Sequence, residues 1–175
     1  MRAFIALEIP EEIREKLFEI AGSLFKKILF LGKLTEKENI HLTLKFLGEI
    51  DGDMAEKVRE KLGEVNIKKF FVELKNFGVF NENFVRIIWC HLSGCEKLQK
   101  EIDEKLAFLF PKEKRFMGHV TIARVKNVID KEKLFEELKR ISVDGVFEVE
   151  RFVLMKSELT GSGPSYGIVE EYSLY

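Results

Sequence analysis

A four-residue pattern, His-X-Thr-X with an apolar residue at each X, occurs twice in this chain, at residues 41–44 and 119–122. Successive side chains of a β-strand point to opposite faces, so each copy places its His and Thr on one face and its apolar pair on the other. A strand with one face on a core and one face open to solvent would bury the apolar pair and expose the His and Thr. The chain is therefore predicted to place two such strands side by side, along one cleft.

The segments around the two copies follow the same order of predicted elements: strand, helix, motif strand, helix, strand. The assignments rest on apolar runs and alternation for strands and on helical spacing for helices. In the first half the strands are 3–8, 40–50 and 69–80 and the helices 11–30 and 53–63; in the second half the strands are 85–92, 118–126 and 146–159 and the helices 95–109 and 130–140. Residues 161–175 add a Gly-rich turn and a last strand. We expect an internal duplication with approximate repeats 1–80 and 84–157.

No low-complexity tract or flexible linker separates the halves, so we expect a single domain, 1–175, with two lobes. An α+β chain without a duplication would also divide into similar halves, and the two motif strands are what favour the repeat. A lone His on a strand is most often structural. Two copies at equivalent points of a repeat are hard to explain by packing and indicate function.

Composition and charge exclude several classes of protein. Hydrophobic residues make up 46% and charged residues 34% of the 175 positions, which excludes a disordered chain, a collagen-like repeat and a small disulfide scaffold. The formal net charge is -1, whereas proteins that coat long nucleic acids carry a broad basic excess, so any nucleic-acid contact is expected to be local. The chain has one Gln, Gln99, and many Glu and Lys, a bias typical of thermophiles.

Two features favour a cytoplasmic protein. Cys90 and Cys95 are the only cysteines and form no CxxC pair, which indicates a reducing compartment. The first apolar run, 3–8, stops at Pro10, too soon for a signal peptide or a membrane span. We expect a monomer that has no membrane contact and needs no protein partner.

Two imidazoles and two hydroxyls beside one cleft suit phosphodiester chemistry. Imidazole titrates near pH ~6.5, so of His41 and His119 one can take a proton from an attacking hydroxyl or water while the other gives one to the leaving oxygen. The hydroxyls of Thr43 and Thr121 can donate hydrogen bonds to the non-bridging oxygens. A zinc site is the competing interpretation, but neither motif has a second ligand at metal-binding spacing. We expect no metal and no cofactor.

With these motifs the chain resembles the two-histidine phosphoesterases, and within them the bacterial and archaeal 2′-5′ RNA ligase family, also described as RNA 2′,3′-cyclic phosphodiesterases. The matching landmarks extend over almost the whole chain: MRAFIALEIPEEI, HLTLKFLGEI, VRIIWC, HVTIARVK and SGPSY. The resemblance implies an α+β fold with two pseudo-symmetric lobes, each a mainly antiparallel sheet with helices on the outside, around a central cleft. One departure is Met117-Gly118, where relatives commonly have Pro before the second motif.

The resemblance also assigns roles to individual residues. It makes His41 and His119 the acid-base pair, and Thr43 and Thr121 phosphate-binding residues. Arg124, five positions after His119, matches an arginine of the family that helps to hold the phosphate or the substrate. Simple alternation puts Arg124 on the opposite strand face from His119, so a bulge or the strand end must turn it inward, or its length must carry it to the substrate.

Two further residues are substrate-binding candidates, each with an alternative. Lys45 has the parity of His41 and Thr43, which predicts added positive charge at the cleft mouth, with a solvated surface lysine as the alternative. Tyr166 follows the Gly-rich turn, where it can stack on a base or serve as an edge-strand aromatic. His91 lacks a following Thr and is expected to be structural.

The function that the resemblance implies is hydrolysis of the 2′,3′-cyclic phosphate at an RNA end, or on a tRNA half, to a 2′-phosphomonoester. Reversible 2′-5′ RNA ligation is the expected companion reaction. We assign His119 as the base and His41 as the acid, although the near-equivalence of the motifs leaves this order open. Two alternatives are a phosphodiesterase for small cyclic nucleotides or ADP-ribose cyclic phosphate, and an RNA-end binding module without turnover, against which the pair of histidines argues.

Overall fold

Nine β-strands and four α-helices alternate along the chain in the computed structural model, which describes residues 1–175. The strands are Arg2–Glu8 (β1), Phe30–Leu34 (β2), His41–Glu49 (β3), Phe70–Val79 (β4), Ile87–Ser93 (β5), His119–Val128 (β6), Val146–Val149 (β7), Arg151–Thr160 (β8) and Gly163–Ser173 (β9). The helices are Glu11–Phe25 (α1), Gly52–Gly63 (α2), Glu96–Lys105 (α3) and Lys131–Arg140 (α4), and one 3₁₀ turn covers Lys37–Asn39. The predicted α+β fold is confirmed.

The strands form one antiparallel sheet in the order β7-β4-β5-β6-β3-β1-β8-β9, with β2 added to the C-terminal part of β6. At the centre, β3 and β6 pair only through Leu42 and Val120 and then run apart, which opens the sheet into two lobes around a cleft. Read outward from this pair, the order is the same on both sides. Beside β3 lies β1 and then β8, which comes from the second half of the chain. Beside β6 lies β5 and then β4, which comes from the first half.

The lobes therefore do not coincide with the two halves of the sequence. β4 from the first half pairs with β5 in one lobe, and β8 from the second half pairs with β1 in the other. This exchange of strands ties the two lobes into one folding unit. The duplication into repeats 1–80 and 84–157 stays a prediction.

The helices cover one face of the sheet, and the other face forms the cleft. A single cluster of 43 buried apolar residues lies between the helices and the sheet. The apolar residues of both motifs are buried in this cluster, as predicted: Leu42, Leu44, Val120 and Ile122. Their burial leaves the His and Thr of each motif on the cleft face.

The chain after α1 differs from the prediction of a helix as far as residue 30. α1 ends at Phe25, and Ile28 is exposed with a φ of 55°, in the left-handed region. β2 then begins at Phe30, its one fully buried side chain. A side chain at Gly32 would collide with the main-chain oxygen of Arg124, so β2 lies close against β6. The sequence does not indicate this strand because β2 lacks an apolar face.

The predicted strand 146–159 is two strands, divided at Glu150. β7 pairs with β4, whereas β8 pairs with β1 and β9, near the other end of the sheet order. Since one residue joins β7 to β8, the sheet must curl until its ends approach each other. A hydrogen bond from the Lys69 N–H to the Tyr175 carbonyl (2.9 Å) links the same ends. None of the helices has the length and apolar character needed to cross a membrane.

Candidate active site

The single β3–β6 residue pair brings the two motifs together on the cleft face. Extended from that pair, an antiparallel register sets His41 beside Thr121 and Thr43 beside His119, so the two histidines are diagonal neighbours, whose Cα atoms lie roughly 7–8 Å apart in a regular ladder. All four side chains line one cleft of about 520 Å³. That volume is within the range of small-molecule binding sites. The cleft is therefore large enough to hold a phosphate group.

Both imidazoles are anchored in the same way. His41 donates a hydrogen bond from Nδ1 to the Asn39 carbonyl (2.7 Å), and His119 donates one from Nδ1 to the Met117 carbonyl (2.9 Å). A carbonyl only accepts, so the neutral form of each ring carries its proton on Nδ1. Each Nε2 is left as the atom that exchanges a proton. In His41 this atom accepts a hydrogen bond from Thr43 Oγ1 (3.0 Å).

Burial lowers the pKa of both imidazoles. For His41, burial is the largest cause, the bond to Asn39 opposes it, and the charges of His119 and Arg124 lower the pKa further. For His119, burial again has the largest effect on the pKa, opposed by the carbonyl bond and reinforced by His91. Both rings are therefore mainly neutral near pH 7 in the free protein. A phosphate anion between them favours protonation of one.

A bulge in β6 turns Arg124 toward the cleft. The pairing of β6 with β5 passes from Thr121 to Ala123 and leaves Ile122 without a partner. Ala123 is consequently buried, and the next side chain, Arg124, lines the cleft with His119. The bulge thus accounts for the departure from simple alternation.

β3 has a bulge at the same point of its motif. Its pairing with β1 passes from Thr43 to Lys45 and leaves Leu44 without a partner. The Lys45 side chain therefore points into the protein, where the residue is 3% exposed and pairs with Asp103 (2.5 Å). The expectation that Lys45 adds charge at the cleft mouth is wrong, because the bulge reverses the parity on which it was based. Phe46 takes the cleft-facing position instead.

Aromatic rings contact each imidazole. The Tyr166 ring stands edge-on to the His41 ring with centroids 5.0 Å apart, and the Phe4 ring contacts both. On the other side, the Phe80 ring stands edge-on to His119 at 4.9 Å. Tyr166 lines the cleft, so its ring lies where a substrate would meet it. These contacts restrict the planes of the imidazole rings.

Sequence reasoning missed six polar residues of the cleft wall: Arg2, Lys33, Thr35, Glu36, Asn39 and Ser157. Lys33 Nζ donates to the Ser162 carbonyl (2.7 Å) and Asn39 Nδ2 donates to the Pro164 carbonyl (3.0 Å), so both hold the β8–β9 turn against the wall. Arg2 could have been predicted from the alternation of side chains along β1, because Arg2 and Phe4 lie on the same face of the strand. Lys33 and Asn39 gave no signal, because β2 and the 3₁₀ turn after it were not predicted.

His91 and the two cysteines do not line the cleft. Cys90 and Cys95 are fully buried, and burial raises the pKa of each thiol to about 12, so neither is a thiolate nucleophile. His91 lies opposite His119 across the β5–β6 ladder, outside the residues that line the cleft. No group of three or more His, Cys, Asp or Glu is arranged to hold a metal ion.

Known proteins are similar to this chain in sequence. The family model described as LigT like Phosphoesterase matches residues 7–89 and 93–166. An RNA 2′,3′-cyclic phosphodiesterase of Methanocaldococcus jannaschii is 40% identical, over 98% of this chain and 100% of its own length. Another, of Thermotoga maritima, is 34% identical, over 98% of this chain and 94% of its own. A thermophilic origin fits several of the relatives, in agreement with the Glu and Lys bias.

Known structures share this fold. A crystal structure of a Thermus thermophilus protein matches with a TM-score of 0.82 and 26% identity, covering 99% of this chain and 97% of that one. The two matched ranges of the family model together include both His-X-Thr-X motifs. The family fold and the paired motifs therefore occur together over nearly the full length. This chain belongs to the LigT-like phosphoesterase family.

Proposed function

We propose that this protein is an RNA 2′,3′-cyclic phosphodiesterase, which adds water to the cyclic phosphate at an RNA end and releases a 2′-phosphomonoester. The observation that carries the proposal is the matched anchoring of His41 and His119, which leaves two Nε2 atoms to exchange protons in one cleft. The relatives of Methanocaldococcus jannaschii and Thermotoga maritima that bear this name align with almost the whole chain, which supports it.

The proposed reaction breaks the bond between phosphorus and O3′. His119 Nε2 takes a proton from water, the water oxygen attacks phosphorus, and His41 Nε2 gives a proton to the departing O3′. The product carries its phosphate on O2′ and a hydroxyl on O3′, and the two imidazoles have exchanged protonation states. Each proton transfer contributes about 10² to 10⁴ in rate.

The order of base and acid is part of the proposal. Burial and neighbouring charges lower the pKa of both rings, and for His41 those charges are His119 and Arg124. A phosphate bound by Arg124 offsets the charge of the arginine and so favours the protonated form of His41, the proposed acid.

Three side chains are proposed to hold the phosphate. The hydroxyls of Thr43 and Thr121 alternate with the imidazoles along the cleft and can donate to the non-bridging oxygens. Arg124 supplies the positive charge that balances the phosphate and the charge that builds up during attack. Tyr166, on the wall beside His41, is proposed to contact the terminal nucleoside.

The same site supports a companion reaction. If a 5′-hydroxyl replaces water, it attacks the same phosphorus with the same two proton transfers and forms a 2′-5′ linkage. We propose that the enzyme acts on RNA ends or tRNA halves in the cytoplasm, as a monomer. In this proposal the enzyme needs no metal, no cofactor, no membrane and no protein partner.

The test follows a short RNA with a 2′,3′-cyclic phosphate by phosphorus NMR, in the presence of EDTA. We expect the resonance of the cyclic phosphate to be replaced by that of a 2′-phosphomonoester, with one oxygen derived from isotopically labelled water. A 3′-phosphomonoester would overturn the choice of leaving oxygen. Binding without turnover would identify an RNA-end binding module, and much faster turnover of a small cyclic nucleotide would favour that substrate instead.

A further inference from the structure

A buried ion pair connects the first motif to the segment that leads to the second. Lys45, four residues after His41, donates to Asp103 of α3 (2.5 Å) and to the Pro111 carbonyl (2.7 Å). The other carboxylate oxygen of Asp103 accepts the Glu113 N–H (2.7 Å). Lys45 and Asp103 are only 3% and 5% exposed. Replacing a buried ion pair by apolar residues is often neutral for stability, so stability alone does not explain a charge here.

The ion pair holds the first part of the connection 111–118, which leads into β6. No residue from 111 to 117 takes part in a hydrogen bond between main-chain groups. The connection is held by the two bonds from the ion pair, by the packing of Phe116 on the core and, at its end, by the hydrogen bond from the Leu92 N–H to the Gly118 carbonyl (2.8 Å). The connection contains Met117, whose carbonyl anchors the His119 imidazole.

The other side of the cleft has no such pair. Ala123 holds the position after His119 that Lys45 holds after His41, and both are turned inward by their bulges. The anchor of His41, however, is Asn39, which belongs to a 3₁₀ turn with a main-chain hydrogen bond of its own (2.8 Å). The lysine thus occurs on the side of the cleft where the residue with the anchoring carbonyl, Met117, lies outside any helix or strand.

We propose that Lys45 is a positioning residue for His119. Through Asp103 it fixes the connection that carries the Met117 carbonyl, and so sets where the second imidazole stands relative to the first. The prediction for the rate of turnover rests on the proposed function. The prediction for the tautomer and the pKa of His119 concerns the free protein, so it is measured without substrate.

The test removes both charges at once, with Lys45→Met and Asp103→Leu, because a single change leaves one charge buried and unpaired. Nitrogen NMR of labelled histidines over a pH series reports the tautomer and the pKa of each ring. We expect His119 to lose its preference for the Nδ1–H tautomer and to show a lower pKa, because its carbonyl bond supports the protonated ring. His41 should be unchanged.

Turnover gives a second readout in the same variant. We expect kcat on cyclic-phosphate RNA to fall by roughly 10- to 100-fold with little change in KM, since displacing a catalytic group by about 1 Å costs up to ~10² in rate. Leu138→Ala is the control, because it removes buried volume from α4, away from the connection, and lowers stability without touching it. In this control both imidazoles and kcat should be as in wild type.

Unchanged His119 resonances in the double variant overturn the proposal, whatever happens to kcat. If the double variant does not fold, Lys45→Met with Asp103→Asn replaces it, since the amide keeps the size of the Asp103 side chain, no charge is left buried, and the ion pair and the bond to the Pro111 carbonyl are still removed. The same shift of the His119 tautomer is then expected. A wild type without turnover would count against the proposed function alone, because the NMR result stands independently of it.

Discussion

Two main-chain carbonyls determine which nitrogen of each proposed catalytic ring is free. Because Asn39 and Met117 accept the Nδ1–H of His41 and His119, each ring presents Nε2 to the substrate in one tautomer and one orientation. An unanchored ring would divide its population between two tautomers and several rotamers. Since burial also lowers both pKa values, neither ring keeps a proton at neutral pH until an anion arrives.

The pH dependence of kcat/KM follows from these shifts. The profile of a two-histidine mechanism is bell-shaped and centred between two apparent pKa values that belong to the pair. Burial lowers the pKa of both His41 and His119 from about 6.5, so we expect the centre to lie below pH ~6.5. In the profile of kcat the centre should move to higher pH, because bound phosphate favours the imidazolium.

The measurement is initial rates on cyclic-phosphate RNA between about pH 4.5 and 8.5, a window that spans the titration range of imidazole. A single rising limb, or a kcat/KM profile centred above pH ~7, would count against two buried imidazoles that exchange protons.

At the scale of elements, the sequence predicted the features that depend on the local pattern of apolar and polar residues. The order of helices and strands and the shared face of His and Thr are such features. The directions of Lys45 and Arg124 are not, because the bulges before them arise from pairing with β1 and β5. β2 was missed because only Phe30 is fully buried on it. The break at Glu150 was missed because no Gly or Pro marks it, although the apolar positions shift there from Phe147 and Val149 to Phe152 and Leu154.

The turn into β6 gives a prediction at this scale. A side chain at Gly118 would meet the Leu92 oxygen at 2.5 Å and Cys95 Sγ at 2.7 Å, so Gly118→Ala must push the start of β6 away from β5. We expect the free energy of unfolding to fall by about 1–3 kcal/mol. kcat/KM should fall about tenfold or more, because His119 is the next residue. Urea unfolding and initial rates measure both effects.

Gly22→Ala is the matched control, because nothing lies within 4 Å of the added Cβ on α1. An alanine there should raise the free energy of unfolding by roughly 0.5–1 kcal/mol, since glycine is a poor helix residue. Activity should not change. If Gly118→Ala proved as harmless as Gly22→Ala, the start of β6 would not be closely packed on β5.

At the scale of the whole molecule, the charge is arranged for a short substrate. The net charge is -1, yet the cleft wall carries Arg2, Lys33 and Arg124 against one acidic residue, Glu36. Positive charge is therefore concentrated where the two lobes meet. The exchange of β4 and β8 between lobes holds the two halves of the cleft in one sheet.

We therefore expect weak salt dependence of KM. Each phosphate contact with single-stranded nucleic acid contributes about -0.7 to the slope of log affinity against log salt, so one to three contacts predict a slope between about -0.7 and -2. Lengthening the RNA beyond a few nucleotides should not lower KM further. Rates between about 50 mM and 500 mM salt on short and long RNA measure this. A slope steeper than about -4 would indicate an extended RNA surface instead.

If both imidazoles act on one phosphorus in one reaction, removing either must cost nearly as much as removing both. The decisive measurement is kcat/KM on cyclic-phosphate RNA, with EDTA, for wild type, His41→Ala, His119→Ala and the double variant. We expect each single change to lower it about 10²- to 10⁴-fold, and the double variant to be no more than about tenfold below the worse single variant. Near-wild-type turnover in either single variant, or losses that multiply in the double variant, would contradict the shared site.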